Sequence, residues 1–170
     1  MNLTRGALAD GREILFYDRA PTERPIVDGR DLPPVSTSAQ IRHDVLVDEW
    51  VAVTTHRQSR THLPPAELCP LCPTTGEIQT EIPEPDYDVV VFENRFPSFA
   101  LAAGETQSPP QTDPMDERRP AVGRCEVVCF TPDHAGSFAG LPHDKARLVV
   151  DAWAQRTAEL SAIEDVAQVF

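Results

Sequence analysis

The sequence is poor in positive charge. It has 15 lysine and arginine residues against 27 aspartate and glutamate residues, a formal net charge of −12 at pH 7. Proteins that bind nucleic acids or membrane surfaces electrostatically need a basic face. The charge balance therefore argues against both kinds of partner. A small anionic ligand stays compatible with it, because such a ligand needs only a few local arginines.

Long apolar stretches are also absent. The chain has no run of 18 apolar residues, and residues 1–14, MNLTRGALADGREI, lack the apolar segment of a signal peptide. We therefore expect no membrane span and no secretion. Four cysteines in a chain without a signal peptide indicate metal ligands or free thiols before disulfides, and the expected location is the cytoplasm.

The patterns that are present predict a mixed α+β fold. Asp10–Gly11 is a strong turn pair, so residues 8–18 predict a hairpin. Further strands are expected within residues 44–55, 89–92 and 124–130, where β-branched and apolar residues cluster. Several strands and long loops beside a single helix are typical of the α+β class.

The helix is predicted to begin at Pro142, a residue that suits a first helical turn. Residues at helical spacing then define one predicted buried face, formed by Ala146, Val149, Val150, Trp153, Thr157 and Leu160. Residues 166–170, VAQVF, indicate the opening of one more strand, so the fold is expected to be incomplete at the C-terminus. We divide the chain into an N-terminal hairpin with an extended, proline-rich arm (1–40) and a main domain (41–170).

A pair of cysteines offers the first chemical signal. Cys69 and Cys72 lie three residues apart in ELCPLCP. Thiolates at this spacing can bind one zinc ion, because the turn between them brings both sulfurs to one side. A redox pair would instead open a helix, and a chance pair of loop cysteines is the third interpretation. Candidate residues to complete a zinc site are His43, His56, His62, His134, His143, Cys125 and Cys129.

These candidates differ in quality. Cys125 and Cys129 share one face of a predicted strand and are expected to be core thiols. His134 follows that strand directly, which suits a ligand, although an exposed loop histidine is the alternative. His143, near the helix start, is expected at the surface.

Two other segments can contact an anionic or nucleotide ligand. Arg57 and Arg60 follow a predicted strand, and arginine pairs of this kind can bind phosphate through paired hydrogen bonds. Asn94 and Phe96 lie at the end of another strand, in VFENRFP. A solvated basic loop and ordinary strand-end residues are the respective alternatives.

Three stretches in this order resemble the galactose-1-phosphate uridylyltransferase family. They are DVLVDEWVAVTTHRQSRTHLPPAELCPLCP, VVVFENRFPSF and GRCEVVCFTPDHAGSFAGLP. The arm LADGREILFYD…RDLPP is similar to the actinobacterial branch. The resemblance covers most of the chain from Asp44 onward, and it implies a histidine-triad-like antiparallel sheet with a flanking helix.

The resemblance also implies a site. Cys69, Cys72 and His134 match three zinc ligands of the family, and a later histidine near a His-Pro-His motif supplies the fourth. Arg57 and Arg60 match its basic loop, while Asn94 and Phe96 match the segment that lines the uridine site. The sequence contains no His-Pro-His and no histidine after His143. No catalytic residue is therefore assigned, and the nucleophilic histidine is expected beyond Phe170.

The activity that the resemblance implies is UMP transfer through a covalent UMP–histidine intermediate. UDP-glucose and galactose 1-phosphate would give glucose 1-phosphate and UDP-galactose, as in galactose metabolism. The expectation is the N-terminal part of such an enzyme, inactive alone and completed by a C-terminal chain, with a homodimer as a further expectation.

A non-catalytic, zinc-stabilised nucleotide-binding module is the alternative. A related nucleotide-transferring phosphorylase is a rival within the same superfamily. A zinc-ribbon nucleic-acid binder is disfavoured by charge and by the lack of a second CxxC.

Overall fold

The computed structural model describes residues 1–35, 39–53, 64–76, 78–101 and 115–170. Within these ranges the chain forms seven strands and one α-helix. They are β1 (Asn2–Ala7), β2 (Glu13–Asp18), β3 (Gln40–Asp44), β4 (Glu49–Val53), β5 (Val89–Glu93), β6 (Arg118–Pro120), β7 (Glu126–Cys129) and α1 (His143–Ser161). All strand pairs are antiparallel, so the predicted α+β class with an antiparallel sheet is confirmed.

The chain divides into two compact units, each with its own sheet. One unit comprises Met1–Val35, Thr61–Glu93 and Glu126–Ala158, and the other comprises Ser36–Arg60, Asn94–Cys125 and Glu159–Phe170. The first holds a four-stranded sheet in the order β1-β2-β5-β7, and the second holds a three-stranded sheet in the order β4-β3-β6.

The four-stranded sheet is apolar on both faces at its centre. One face of β2 and β5 presents Ile14, Phe16, Val90 and Phe92, packed with Ile82 and Tyr87, and the other presents Leu15, Tyr17, Val89 and Val91. Leu148, Val149 and Ala152 of α1 pack against this second face. Because both faces are covered, the two strands read as continuous apolar runs (ILFY, VVVF) without polar alternation.

The hairpin predicted over residues 8–18 is present and longer than expected. It joins β1 to β2, with Asn2 opposite Asp18 and Ala7 opposite Glu13. Gly11 lies in its loop at φ +85°, a conformation that glycine adopts without steric cost. The turn pair therefore located the loop correctly, whereas the first strand begins before the apolar pattern does.

The predicted buried face of the helix is partly wrong. The buried residues of α1 are Leu148, Val149, Ala152, Arg156 and Leu160. Val150 and Trp153 remain 47% and 44% exposed, so the buried stripe is rotated from the predicted one. The reason is Arg156, whose Nε and Nη2 donate to the carboxylate of Glu126 in β7 at 2.9 and 2.7 Å. An arginine that is paired with a carboxylate can take a buried position that an apolar pattern would assign to an apolar residue.

Two other predictions about strands need correction. The strand predicted over residues 124–130 is shorter than expected, because β7 begins after Cys125 and ends at Cys129, and it is half-buried at the edge of its sheet. Residues 166–170 form no strand, and the backbone N–H of Val166 donates instead to the carbonyl of Ile163 at 3.0 Å. Apolar, β-branched residues favour a strand only where a neighbouring strand takes up their backbone hydrogen bonds.

The arm after the hairpin is extended but held in place by ion pairs. Residues 19–35 have no regular secondary structure. Arg24 donates to Asp18 at 2.6 Å and to the carbonyl of Asp86 at 2.7 Å, and its guanidinium lies 4.7 Å from the ring centre of Phe16. Ile26 packs against the first face of the sheet.

No helix among the described residues is long and apolar enough to cross a bilayer.

Replacing Arg156 with alanine should destabilise the protein by about 3–5 kcal/mol, since it removes two charge-assisted hydrogen bonds from a buried carboxylate. The measurement is chemical unfolding followed by circular dichroism. Arg147→Ala on the same helix is the matched control. That residue also pairs with an acid, Asp151, but its side chain is 77% exposed, so a loss below about 1 kcal/mol is expected. Equal losses in the two variants would contradict the account of the rotated stripe.

Candidate metal centre

The two cysteines of ELCPLCP lie on a tight turn. Residues Ala66–Leu68 form one turn of 3-10 helix, and the N–H of Cys69 closes it by donating to the carbonyl of Ala66 at 3.3 Å. The N–H of Cys72 donates in turn to the carbonyl of Cys69 at 3.3 Å. Two successive turns thus fold Cys69 and Cys72 back on each other. No helix follows Cys69, which disfavours the redox interpretation.

His134 comes from the loop after β7. The N–H of Asp133 donates to Thr131 Oγ1 at 3.2 Å, and the carboxylate of Asp133 accepts from the N–H of Ala135 at 3.0 Å. The N–H of Gly136 donates to the carbonyl of Asp133 at 3.0 Å. These bonds fold the loop around His134. The hydroxyl of Tyr87, a buried residue of the first unit, donates to the carbonyl of Thr131 at 2.7 Å and ties the loop to the core.

The three side chains meet at one point. Cys69 Sγ, Cys72 Sγ and a ring nitrogen of His134 all lie within 4.8 Å of one another, with Cys72 Sγ 3.3 Å from His134 Nδ1. Tetrahedral zinc, with bonds of about 2.3 Å to sulfur and about 2.0 Å to nitrogen, would place its ligands roughly 3.5–3.8 Å apart. Two thiols and an imidazole at this spacing fit zinc after small adjustments. Within the described ranges the group has three members.

The pKa values of two thiols, those of Cys72 and Cys129, are raised. Burial raises the pKa of Cys72, and the neighbouring Cys69 raises it further. Burial also raises the pKa of Cys129 to about 12, and the charges of Cys69 and Cys72 add to this shift. Cys129 packs against the core, in line with the core thiol predicted there. Cys125, the second predicted core thiol, is half-buried.

An open cavity of about 530 Å³ adjoins the two cysteines. Its lining includes Glu67, Thr75, Thr80, Asp86 and Asp133 together with Cys69 and Cys72. The other lining residues are apolar, namely Ala66, Pro73, Ile78, Pro85 and Pro132. The two cysteines therefore line an accessible, largely apolar surface of the first unit that also carries three carboxylates.

Sequence reasoning missed the residues that hold the cysteine turn from behind. Thr80 Oγ1 donates to the carbonyl of Cys72 at 2.5 Å, and the N–H of Glu81 donates to the carbonyl of Pro70 at 2.9 Å. Both acceptors are backbone atoms of the turn that carries the cysteines. No residue motif marks such contacts, because any residue can offer a backbone carbonyl.

The other predicted site residues lie outside this cluster. Asn94 Oδ1 accepts from the N–H of Phe96 at 3.0 Å, which closes a local turn, and the ring of Phe96 is 38% exposed. Arg57 and Arg60 lie outside the described residues, as do His56 and His62. His43 bonds Asp48 at 2.8 Å and stacks on Trp50, and His143 is exposed at the start of α1, as predicted.

Comparison with known proteins identifies the family of the chain. Residues 33–170 match the profile described as "Galactose-1-phosphate uridyl transferase, N-terminal domain". The chain belongs to the galactose-1-phosphate uridylyltransferase family. The resemblance stated from the sequence is therefore confirmed.

The galactose-1-phosphate uridylyltransferase of Streptomyces lividans is 47% identical over 100% of this chain and 42% of its own length. The enzyme of that name from Thermotoga maritima is 34% identical over 77% of this chain and 39% of its own length. A solved structure described as "Structure of uridylyltransferase" aligns with a TM-score of 0.50 and 31% identity, over 72% of this chain and 37% of that one. The chain thus spans about two-fifths of the length of these family members.

Replacing Gly136 with alanine should displace the loop that carries His134. A Cβ atom there would lie 2.7 Å from Thr131 Cγ2 and 3.1 Å from the carbonyl of Asp133. We expect a loss of about 1–3 kcal/mol of stability, as is usual for overpacking, and weaker zinc binding in competition with a chromophoric chelator. Gly140→Ala is the control, because its nearest contact would be an ordinary 3.4 Å to Ser137 Oγ. Unchanged zinc binding in Gly136→Ala would show that the loop does not position the ligand.

Proposed function

We propose that the protein is the N-terminal part of a galactose-1-phosphate uridylyltransferase with a histidine-triad-like fold. In this proposal Cys69, Cys72 and His134 bind zinc. The observation that carries it is the convergence of these three side chains within 4.8 Å, from segments of the chain far apart in sequence. Zinc bound there would supply a structural cross-link, which typically contributes directly to folding.

The proposed reaction proceeds in two displacements. An imidazole nitrogen attacks the α-phosphorus of UDP-glucose, and the bond from phosphorus to the glucose 1-phosphate oxygen breaks. A phosphate oxygen of galactose 1-phosphate then attacks the same phosphorus, and the phosphorus–nitrogen bond breaks to give UDP-galactose. Covalent catalysis of this kind predicts ping-pong kinetics. The 170 residues contain no His-Pro-His motif, so we place the nucleophile outside them and expect no turnover from these residues alone.

The contribution of this chain to the reaction is proposed to be ligand binding. Arg57 and Arg60 offset phosphate charge, and Asn94 and Phe96 contact the uridine. Exposure of the Phe96 ring supports a stacking role, because a base can pack on an accessible aromatic face. The proposed substrates are UDP-glucose or UDP-galactose and a hexose 1-phosphate. The proposed assembly is a complementing C-terminal part and a homodimer.

We further propose a cytoplasmic location. The four cysteines form no disulfide, as is usual for proteins of a reducing compartment.

The metal assignment predicts that Cys69→Ser and His134→Ala each lower zinc content and melting temperature, since each removes one ligand. Zinc is measured by elemental mass spectrometry of the purified protein. Cys125→Ser removes a cysteine outside the cluster and should keep its zinc. Full zinc content in both ligand variants would refute the assignment.

The ligand-binding assignment predicts that Arg57→Ala combined with Arg60→Ala weakens UDP-glucose binding. Charge-assisted hydrogen bonds contribute about 1.5–3 kcal/mol each, so a loss of at least about tenfold in affinity is expected by calorimetry. Arg147→Ala, an exposed arginine of α1, serves as the control. Equal affinities in the two variants would show that Arg57 and Arg60 do not bind the ligand, and would favour the alternative interpretation of a solvated basic loop.

The enzyme assignment is tested by translating the DNA downstream of the Phe170 codon in three frames. A His-Pro-His motif within a few tens of codons is expected, and co-expression of that part should produce UDP-galactose from UDP-glucose and galactose 1-phosphate. If no such motif is encoded nearby, the proposed enzyme fails. Nucleotide binding without turnover would then identify a zinc-stabilised binding module.

A further inference from the structure

The carboxylate of Glu81 is shared by two arginines from different parts of the N-terminal segment. Arg30, from the extended arm, donates to one oxygen at 2.9 Å, and Arg12, from the hairpin loop, bonds the other. The side chains of Arg12, Glu81 and Arg30 are only 2%, 13% and 13% exposed. Glu81 is thus the central member of a largely buried cluster of alternating charge.

Both arginines are fixed by further carboxylates. Arg12 Nε donates to Asp10 at 2.8 Å, and Arg30 Nε and Nη2 donate to the two oxygens of Asp28 at 2.8 and 2.7 Å. Asp28 also accepts from the N–H of Ala9 at 3.0 Å, which joins the arm back to the hairpin loop. The contacts form a closed ring that includes the hairpin loop, the arm and Glu81. A closed, paired network of this kind has a defined geometry.

The backbone next to this ring holds the cysteine turn. The N–H of Glu81 donates to the carbonyl of Pro70, which lies between the two cysteines, and Thr80 Oγ1 donates to the carbonyl of Cys72. Residues 80 and 81 therefore contact the turn at two points. The ring of ion pairs fixes residue 81, and residues 80 and 81 fix the turn.

We propose that the N-terminal arm is part of the metal centre, with Arg30 and Glu81 as positioning residues that set the Cys69–Cys72 turn for zinc. The inference rests on the proposed zinc binding by Cys69, Cys72 and His134. Neither residue touches the metal. They act on metal affinity because a turn that is already in place loses less conformational freedom when zinc binds. Outer-shell partners of metal ligands commonly change metal affinity by about 10- to 100-fold.

The coupling must act in both directions. If the arm strengthens zinc binding, zinc must stabilise the docked arm by the same factor. Hydrogen exchange in residues 20–35 should therefore slow when zinc is added. The N–H of Ile26 reports on the contact directly, since it donates to Glu84 outside the arm. The N–H of Ala9 reports on it from the hairpin loop, since it donates to Asp28 of the arm. A purely architectural arm would exchange at the same rate with and without zinc.

The test compares zinc affinity in Glu81→Gln and Arg30→Ala with that of the unaltered protein, using a chromophoric chelator as competitor. Arg30→Lys, which keeps the charge but loses the forked geometry, should fall between Arg30→Ala and the unaltered protein. Arg5→Ala is the matched control. It breaks another ion pair of the N-terminal segment, between Arg5 and Glu13, whose side chains are 45% and 31% exposed respectively. Circular dichroism identifies the variants that stay folded. Hydrogen exchange of the unaltered protein, with and without zinc, tests the inference even if a variant does not fold.

The expected result is a 10- to 100-fold weaker affinity in Glu81→Gln and Arg30→Ala, an unchanged affinity in Arg5→Ala, and slower arm exchange with zinc. Affinities within twofold of one another and zinc-independent exchange would overturn the inference while leaving the metal centre intact. Absence of zinc binding in the unaltered protein would instead refute the proposed metal centre, and the inference with it.

Discussion

Pairing of arginine with carboxylate inside the first unit is the interaction on which most of this structure depends. Arg12, Arg24, Arg30 and Arg156 each have side chains less than 15% exposed, and each bonds at least one carboxylate. Unpaired, such charges would be costly to remove from water. Paired, they dock the arm, fix the segment after the cysteines and orient the helix. An acidic chain with 15 basic residues thus uses several of them internally.

These pairs also explain which features of the fold the sequence could predict. The central strands were found because their apolar runs are buried on both faces, and burial is what such patterns report. The helix was found, but its face was not, since Arg156 lies in the buried stripe only by virtue of Glu126. A pairing between residues thirty positions apart leaves no trace in helical periodicity. The strand predicted over residues 166–170 is absent for a related reason, because apolar residues form a strand only beside another strand.

The candidate site divides in the same way. Spacing alone left the cysteine pair open between metal, redox and chance. It left His134 as one of several candidates to complete a metal site, and the ordered resemblance singled it out. The structure places that histidine beside the cysteines. Thr80 and Glu81 had no such signal, because they act through backbone carbonyls. Candidate ligands can therefore be predicted from residue type, whereas the residues that position them are visible only in the structure.

The meeting of Cys72 with His134 has a consequence for the unfolded chain. The two residues are 62 positions apart, so a metal that bridges them closes a loop of that length. For a covalent link, closing such a loop lowers the entropy of the unfolded state by an amount equivalent to about 4 kcal/mol. A bound ion at this place would cross-link the two segments as a disulfide does. Unlike a disulfide, its strength would follow the supply of metal.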